Sequence, residues 1–209
     1  PTWSFLWRSV IARLDGFRCI APDLLGLGLS DKPRRPKSHQ LAWHVEHIFQ
    51  VVRAATDRPV VLVGQDWGGP VAAGVAKRLG DQVAGVVFGN TAVVTPRRPL
   101  RTKPFHRFSN LPVISDLVFR VGGFPQRGFL GRTQGDPKSM GSLQSRAYRW
   151  PLRWAVDRAA PLGLARMVPS HEGHPSLVEM DAIGAWVEAY KGPAALVWGV
   201  RDPILGRGL

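Results

Sequence analysis

Val61-Leu62-Val63-Gly64-Gln65-Asp66-Trp67-Gly68-Gly69-Pro70-Val71-Ala72-Ala73 is the stretch that decides the fold. Its first part, Pro59–Gly64 (PVVLVG), is a continuous apolar run of the kind found in strands buried on both faces of a parallel sheet. Its last part opens a helical pattern over Gly69–Leu79. Only Gln65-Asp66-Trp67-Gly68 separates the two, so strand must pass to helix through one tight turn. Such a turn strains its central residue and needs neighbours without side chains, which Gly64, Gly68 and Gly69 supply.

The strain lifts the central side chain out of the sheet, toward the start of the following helix. Backbone N–H groups and the positive end of the helix dipole gather there. This is the layout of a nucleophile elbow, with Asp66 where serine commonly stands. A carboxylate so placed can displace a leaving group from saturated carbon and form an alkyl ester. A positioned histidine then activates water to hydrolyse the ester. The plainer alternative is that Asp66 caps the helix. Trp67 also has two compatible roles: its ring packs, and its indole N–H faces the pocket, where it can hold a departing anion.

Three further runs read as strands: Arg18–Pro22, Val83–Phe88 and Pro193–Trp198. Helical patterns lie between them, at 38–55 and 69–79 and again after Ser176. This alternation predicts an α/β fold with a mostly parallel sheet. Polar loops follow the strands: Asp23–Pro33, Gln65–Gly69 and Gly199–Pro203. Ligands of open parallel sheets bind at those carboxyl ends. Residues 91–175 break the pattern, with many prolines and no clear strand, and helical stretches are expected near 114–121, 139–148 and 152–160. The expected division is a core of 1–94 and 176–209, with 95–175 as a helical cap. Phe124, Phe129, Trp150 and Trp154 are candidates to line an apolar pocket or to form the cap's own core.

The 209 residues, 44% hydrophobic, suffice for one sizeable core. The net charge of +13 raises a nucleic-acid reading, but its distribution opposes it. Residues 95–170 hold 14 Lys and Arg against three acids, scattered and without an aromatic-basic module. No nucleic-acid or membrane partner is expected. No apolar run approaches the roughly 18 residues that span a bilayer. Nothing at Pro1–Trp7 resembles a secretion signal. The single cysteine, Cys19, excludes an internal disulfide and reads as a buried strand thiol, and a cytoplasmic location is expected. No cofactor is implied, since Gly26-x-Gly28 lacks the third glycine of a dinucleotide loop. His44 with His47, and His171 with His174, have the wrong spacing and company for zinc. These four, with His39 and His106, are read as solvated or packed.

Five motifs, in order, resemble the haloalkane dehalogenase family of the α/β-hydrolase superfamily. They are Pro1–Arg8; Ala21-Pro22-Asp23 with Gly26–Pro33; Gln65–Gly69; Gly89-Asn90-Thr91; and Trp198-Gly199-x-x-Asp202-Pro203-Ile204-Leu205-Gly206. The resemblance spans nearly the whole chain and is least specific in 95–170. It implies Asp66 as nucleophile and Trp67 as halide donor through its indole, with the Trp67 backbone N–H on the oxyanion. It implies Asp202 as the acid that orients a catalytic histidine. Some relatives carry that acid after the preceding strand, but Gly89-Asn90-Thr91 has no carboxylate. The competing reading of Asp202 is an Asp-Pro turn.

The resemblance also implies a His-Gly-Asn segment ahead of Pro1, whose Asn is a second halide donor in many members. It implies a catalytic histidine several tens of residues beyond Leu209. The expectation is therefore an α/β-hydrolase fold with helices on both sheet faces, shortened at both termini and inactive alone. Its substrates would be a small apolar organic molecule and water. Epoxide hydrolases and β-lactone decarboxylases share the Asp elbow. The former typically need two cap tyrosines, and only Tyr148 lies in 95–175. A remnant that binds without catalysis is the alternative of a different class. The sequence does not fix the oligomeric state.

Overall fold

The computed structural model describes residues 2–94, 96–100, 103–202 and 204–206. Its sheet has three parallel strands in sequence order: β1 (Val60–Gln65), β2 (Val83–Gly89) and β3 (Ala194–Val197). Gln65 pairs with Gly89, and Gly89 with Val197, so all three strands end at one edge. The helices are α1 (Arg8–Ile11), α2 (Leu41–Ala55), α3 (Gly68–Leu79), α4 (Pro104–Ser109), α5 (Ile114–Asp116), α6 (Ser142–Arg149), α7 (Ala159–Arg166) and α8 (Ser176–Ala189). A π-helical turn, Leu117–Val121, continues α5.

The core forms around α3. Every residue from Gly69 to Ala76 is buried, because α3 is wedged between the sheet and helices α2 and α8. Small residues permit that wedge: a Cβ on Gly74 would come within 2.7 Å of Val45 on α2. Leu41, Val45 and Val52 of α2, Leu62 and Val86 of the strands, and Ile183 of α8 close the cluster. The alternate side chains of β1, Val61 and Val63, are 51% and 48% exposed, so the described helical cover of β1 lies on one side.

The strands expected at Pro59–Gly64, Val83–Phe88 and Pro193–Trp198, and the helix expected at Gly69–Leu79, each form within one residue of those bounds. The predicted strand at Arg18–Pro22 does not form. A strand is a paired ladder, and among the described residues no segment lies beside this one to pair with it. It is tied instead through the Arg18 guanidinium, which donates to the Ala55 carbonyl at 3.2 Å. Cys19, read as a buried thiol, is exposed for the same reason.

Between β2 and β3 the described residues form helices and turns and no strand. Arg158 holds this region together: its guanidinium donates to the carbonyls of Leu152, Arg120, Val121 and Arg153 at 2.6–3.0 Å. That satisfies four carbonyls that irregular backbone leaves without ladder partners. No described helix is long and apolar enough to cross a membrane.

Candidate active site

Asp66 follows the last residue of β1 with φ +52°, in the left-handed region that non-glycine residues rarely occupy. The helix cap falls on the next residue, Trp67, and no side chain caps it. The simple helix-cap reading of Asp66 is thus not what the turn adopts. The fold of the chain at this point leaves no room for larger residues. A Cβ on Gly64 would overlap the Gly68 carbonyl, and one on Gly69 would overlap the Thr91 hydroxyl.

Backbone and side-chain hydrogen bonds hold the strained residue. The Asp66 N–H donates to the Asn90 carbonyl at 3.1 Å, extending the β1–β2 ladder by one rung. The Thr91 hydroxyl donates to the Asp66 carbonyl at 2.6 Å, and the Gly69 N–H donates to the same oxygen at 3.0 Å. Strain of this kind costs on the order of 1–3 kcal/mol and persists only when the surroundings over-determine it.

Trp67 packs its ring against the core cluster. Among the described residues its indole N–H has no hydrogen-bond acceptor.

Asp202 lies in the loop after β3, half-buried. Its Oδ1 accepts from the backbone N–H of Ile204 at 2.8 Å and of Leu205 at 2.9 Å. Its own N–H donates to the Gly199 carbonyl at 3.0 Å. The turn reading is thus met through Oδ1, and Oδ2 has no protein partner among the described residues. Pro203 lies outside the described residues.

Asn90 joins the two loops. Its Nδ2 donates to the carbonyls of Gly199 and Leu205 at 3.0 and 3.2 Å, and its Oδ1 accepts from the Gly199 N–H at 2.6 Å. The same residue's carbonyl receives the Asp66 N–H. The two loops that carry Asp66 and Asp202 are therefore fastened to one residue at the exit of β2.

Sequence reading missed Asn90 and Thr91 as supports, and it missed His106. His106 lies on α4, which packs on α7. Its Nδ1 is 3.3 Å from the Ala165 carbonyl. Burial lowers the His106 pKa and Lys103 adds to that, while the Ala165 hydrogen bond and Asp66 act to raise it. No spacing in the sequence signals this placement. The other histidines stand apart: His39 and His44 are buried against each other, and His47 bonds the Trp43 carbonyl on an exposed face.

The aromatic candidates divide. Phe124 packs edge-on to Phe119 at 5.1 Å and tilts against Phe129 at 5.1 Å, within an aromatic cluster that includes Phe105. Trp150 and Trp154 are surface residues instead: they are 58% and 61% exposed, with the Arg153 guanidinium over the Trp150 ring. They lie on turns at 150–157 whose Leu152 and Arg153 carbonyls accept from Arg158. A cavity of about 280 Å³ does occur in the 95–175 stretch, lined by Gln126, Met140, Tyr148 and Arg149 among others. None of Asp66, Trp67 and Asp202 reaches it.

Comparison with known proteins agrees with this fold. Residues 1–131 match the family model of the α/β hydrolase fold. Haloalkane dehalogenase 2 of Mycobacterium bovis is 35% identical over 204 residues, covering 97% of this chain and 68% of that protein. Haloalkane dehalogenase 1 of Mycobacterium tuberculosis is 30% identical, with 99% and 67% covered. Among solved structures, haloalkane dehalogenase DatA from Agrobacterium tumefaciens C58 superimposes with a TM-score of 0.81 at 25% identity, over 94% of this chain and 68% of that one. The chain is a hydrolase of the α/β-hydrolase fold and belongs to the haloalkane dehalogenase family.

Proposed function

We propose that the chain carries the nucleophilic half of a haloalkane dehalogenase site, with Asp66 as nucleophile. The observation that carries this reading is the strained Asp66 at the carboxyl end of β1, over-determined by Thr91, Asn90 and Gly69. Strain held by this many contacts argues against a remnant that only binds, because it has a cost and no structural benefit in the turn itself.

In this reading an Asp66 carboxylate oxygen attacks the carbon that bears the halogen. The C–O bond forms as the carbon–halogen bond breaks, and the halide leaves with the electron pair. The unpartnered indole N–H of Trp67 receives the halide. Water then attacks the carbonyl carbon of the Asp66 ester, with its proton passing to a base, and the alcohol departs with Asp66 regenerated. The backbone N–H of Trp67 faces the oxyanion of that step.

Asp202 is assigned to hold the histidine base through Oδ2. None of the six histidines among the described residues hydrogen-bonds it. The reading places the base in the share of the family fold that these 209 residues do not include; the chain spans 68% of the relative described above. Residues 95–175 act as the cap over the carboxyl edge of the sheet. Lys103 supports this placement, since its ammonium donates to the Ile204 carbonyl in the Asp202 loop at 3.2 Å.

Epoxide opening is disfavoured by Tyr148. It is buried, packed edge-on against Phe5 and 3.4 Å from the Arg8 guanidinium, and it lines the remote cavity rather than the site. The test is bromide release from short bromoalkanes by full-length protein, with Asp66→Asn as control. Release by wild type and its loss in the variant are expected. No release, together with turnover of epoxides or β-lactones, would overturn the reading.

A further inference from the structure

The helix period lays out the outer side of residues 142–156. On α6, Leu143 and Arg146 are exposed, while Tyr148 is buried. Trp150 keeps helical angles where the helix ends, so Leu143, Arg146 and Trp150, three and four apart, share one face. Pro151 and Leu152 then turn inward, and Arg153 and Trp154 return to the surface. The Arg153 guanidinium lies 4.1 Å from the centre of the Trp150 ring and 5.8 Å from that of Trp154, so the three side chains stand together. Val156, also exposed, ends the strip.

Single exposed apolar residues are ordinary, but two tryptophans around one arginine, flanked by Leu143 and Val156, form a patch. The patch is also cationic. Arg146, Arg149 and Arg153 are exposed, and none has a carboxylate partner among the described residues. Asp157, the only acid in 142–158, is half-buried and acts on Arg158. The wider stretch 95–170 carries 14 Lys and Arg against three acids. The surface therefore complements an anionic partner that also takes up apolar side chains.

We propose that this strip docks the protein on anionic lipid bilayers, as a peripheral contact. Guanidinium groups pair with lipid phosphates. Tryptophan settles at the headgroup boundary, its ring in the apolar part and its N–H in the polar part. Leu143 and Val156 fit the start of the acyl chains, whereas they offer nothing to a nucleic-acid backbone. No described helix is long and apolar enough to cross a bilayer, but a surface contact needs none. The inference departs from the expectation, drawn from the sequence, of no membrane partner. It does not depend on the reading of Asp66.

The test is co-sedimentation of full-length protein with vesicles of phosphatidylcholine alone or mixed with phosphatidylglycerol. Binding to the mixed vesicles only, weakening as salt rises, is expected. The variant Trp150→Ala, Trp154→Ala should bind at least about tenfold more weakly, through loss of apolar burial. The variant Arg146→Gln, Arg149→Gln, Arg153→Gln should bind roughly a hundredfold more weakly, about fivefold for each charge. All five side chains are exposed, so both variants should keep the wild-type unfolding midpoint. Lipids brominated on the acyl chain should quench wild-type tryptophan fluorescence more than that of the tryptophan variant. No binding to the mixed vesicles would overturn the proposal, and so would binding that the folded tryptophan variant retains in full. Binding to RNA or polyglutamate in place of vesicles would overturn it too, and would assign the strip to that partner.

Discussion

The Thr91 hydroxyl donates a 2.6 Å hydrogen bond to the carbonyl of Asp66, and Thr91 is 4% exposed. The bond fixes the peptide that follows the strained residue, so the carboxylate direction depends on a side chain from the neighbouring strand exit. Thr91→Val keeps the shape and removes the donor. The variant should lose about 1–2 kcal/mol of stability, since the Asp66 carbonyl loses a short hydrogen bond. It should also lose kcat more than KM, because the turn relaxes. Thermal unfolding and steady-state kinetics check both; an unchanged kcat would show that the turn holds without it.

Asn90 makes the second support. It reaches 109 residues along the chain to bond Gly199 through both ends of its amide. Asn90→Ala should free the Asp202 loop and leave the β1–β2 ladder in place. The expected result is a fall in kcat of about tenfold or more, in proportion to the reorientation of the base that Asp202 holds. Hydrogen exchange should rise at 199–206 and stay low in β1. Equal exchange in both would mean that Asn90 supports the whole sheet rather than the loop.

Gly69 tests the tightness of the elbow. A Cβ there would overlap the Thr91 hydroxyl. Gly69→Ala should destabilise the protein by roughly 1–3 kcal/mol through this overlap. The double variant Gly69→Ala, Thr91→Ala should recover part of the loss. Strict additivity in denaturant titrations would contradict the contact.

The buried His39–His44 pair makes stability depend on pH. Their rings stack, with Nδ1 of His39 3.4 Å from Nε2 of His44. Burial, reinforced by His39 and His47, lowers the pKa of His44 from 6.5 to about 4. Between those values the unfolded chain binds more protons than the folded one, so stability is full above pH 6.5 and is lost as pH falls toward 4. The loss is on the order of 3 kcal/mol for His44 alone. Denaturant midpoints across this range should fall in wild type and flatten in His44→Leu; a flat wild-type profile would contradict the burial argument.

The elbow was legible because its signals are local. An apolar run, a turn framed by glycines and a helical pattern all lie within residues 59–79. The parallel sheet followed from the alternation of such segments. The failures involve distance along the chain. Arg18–Pro22 has strand composition, but pairing decides strands, and composition does not report the partner. Trp150 and Trp154 look like pocket aromatics, yet turns gathered around Arg158 expose them. Asn90 drew notice as part of a family motif and for not being a carboxylate; its function as a clamp lies in bonds to residues 199 and 205. His106 carries no motif at all, and only the packing of α4 on α7 sets its ring against the Ala165 carbonyl.

The central claim is that Asp66 attacks carbon and is itself the site of hydrolysis. The most direct test is a single turnover of 1-bromobutane by full-length protein in heavy-oxygen water, followed by mass spectrometry of the butanol and of the peptide containing Asp66. The account predicts unlabelled butanol and one heavy oxygen in the Asp66 carboxylate, because water attacks the ester carbonyl rather than the alkyl carbon. Heavy oxygen in the butanol, with none in Asp66, would contradict it.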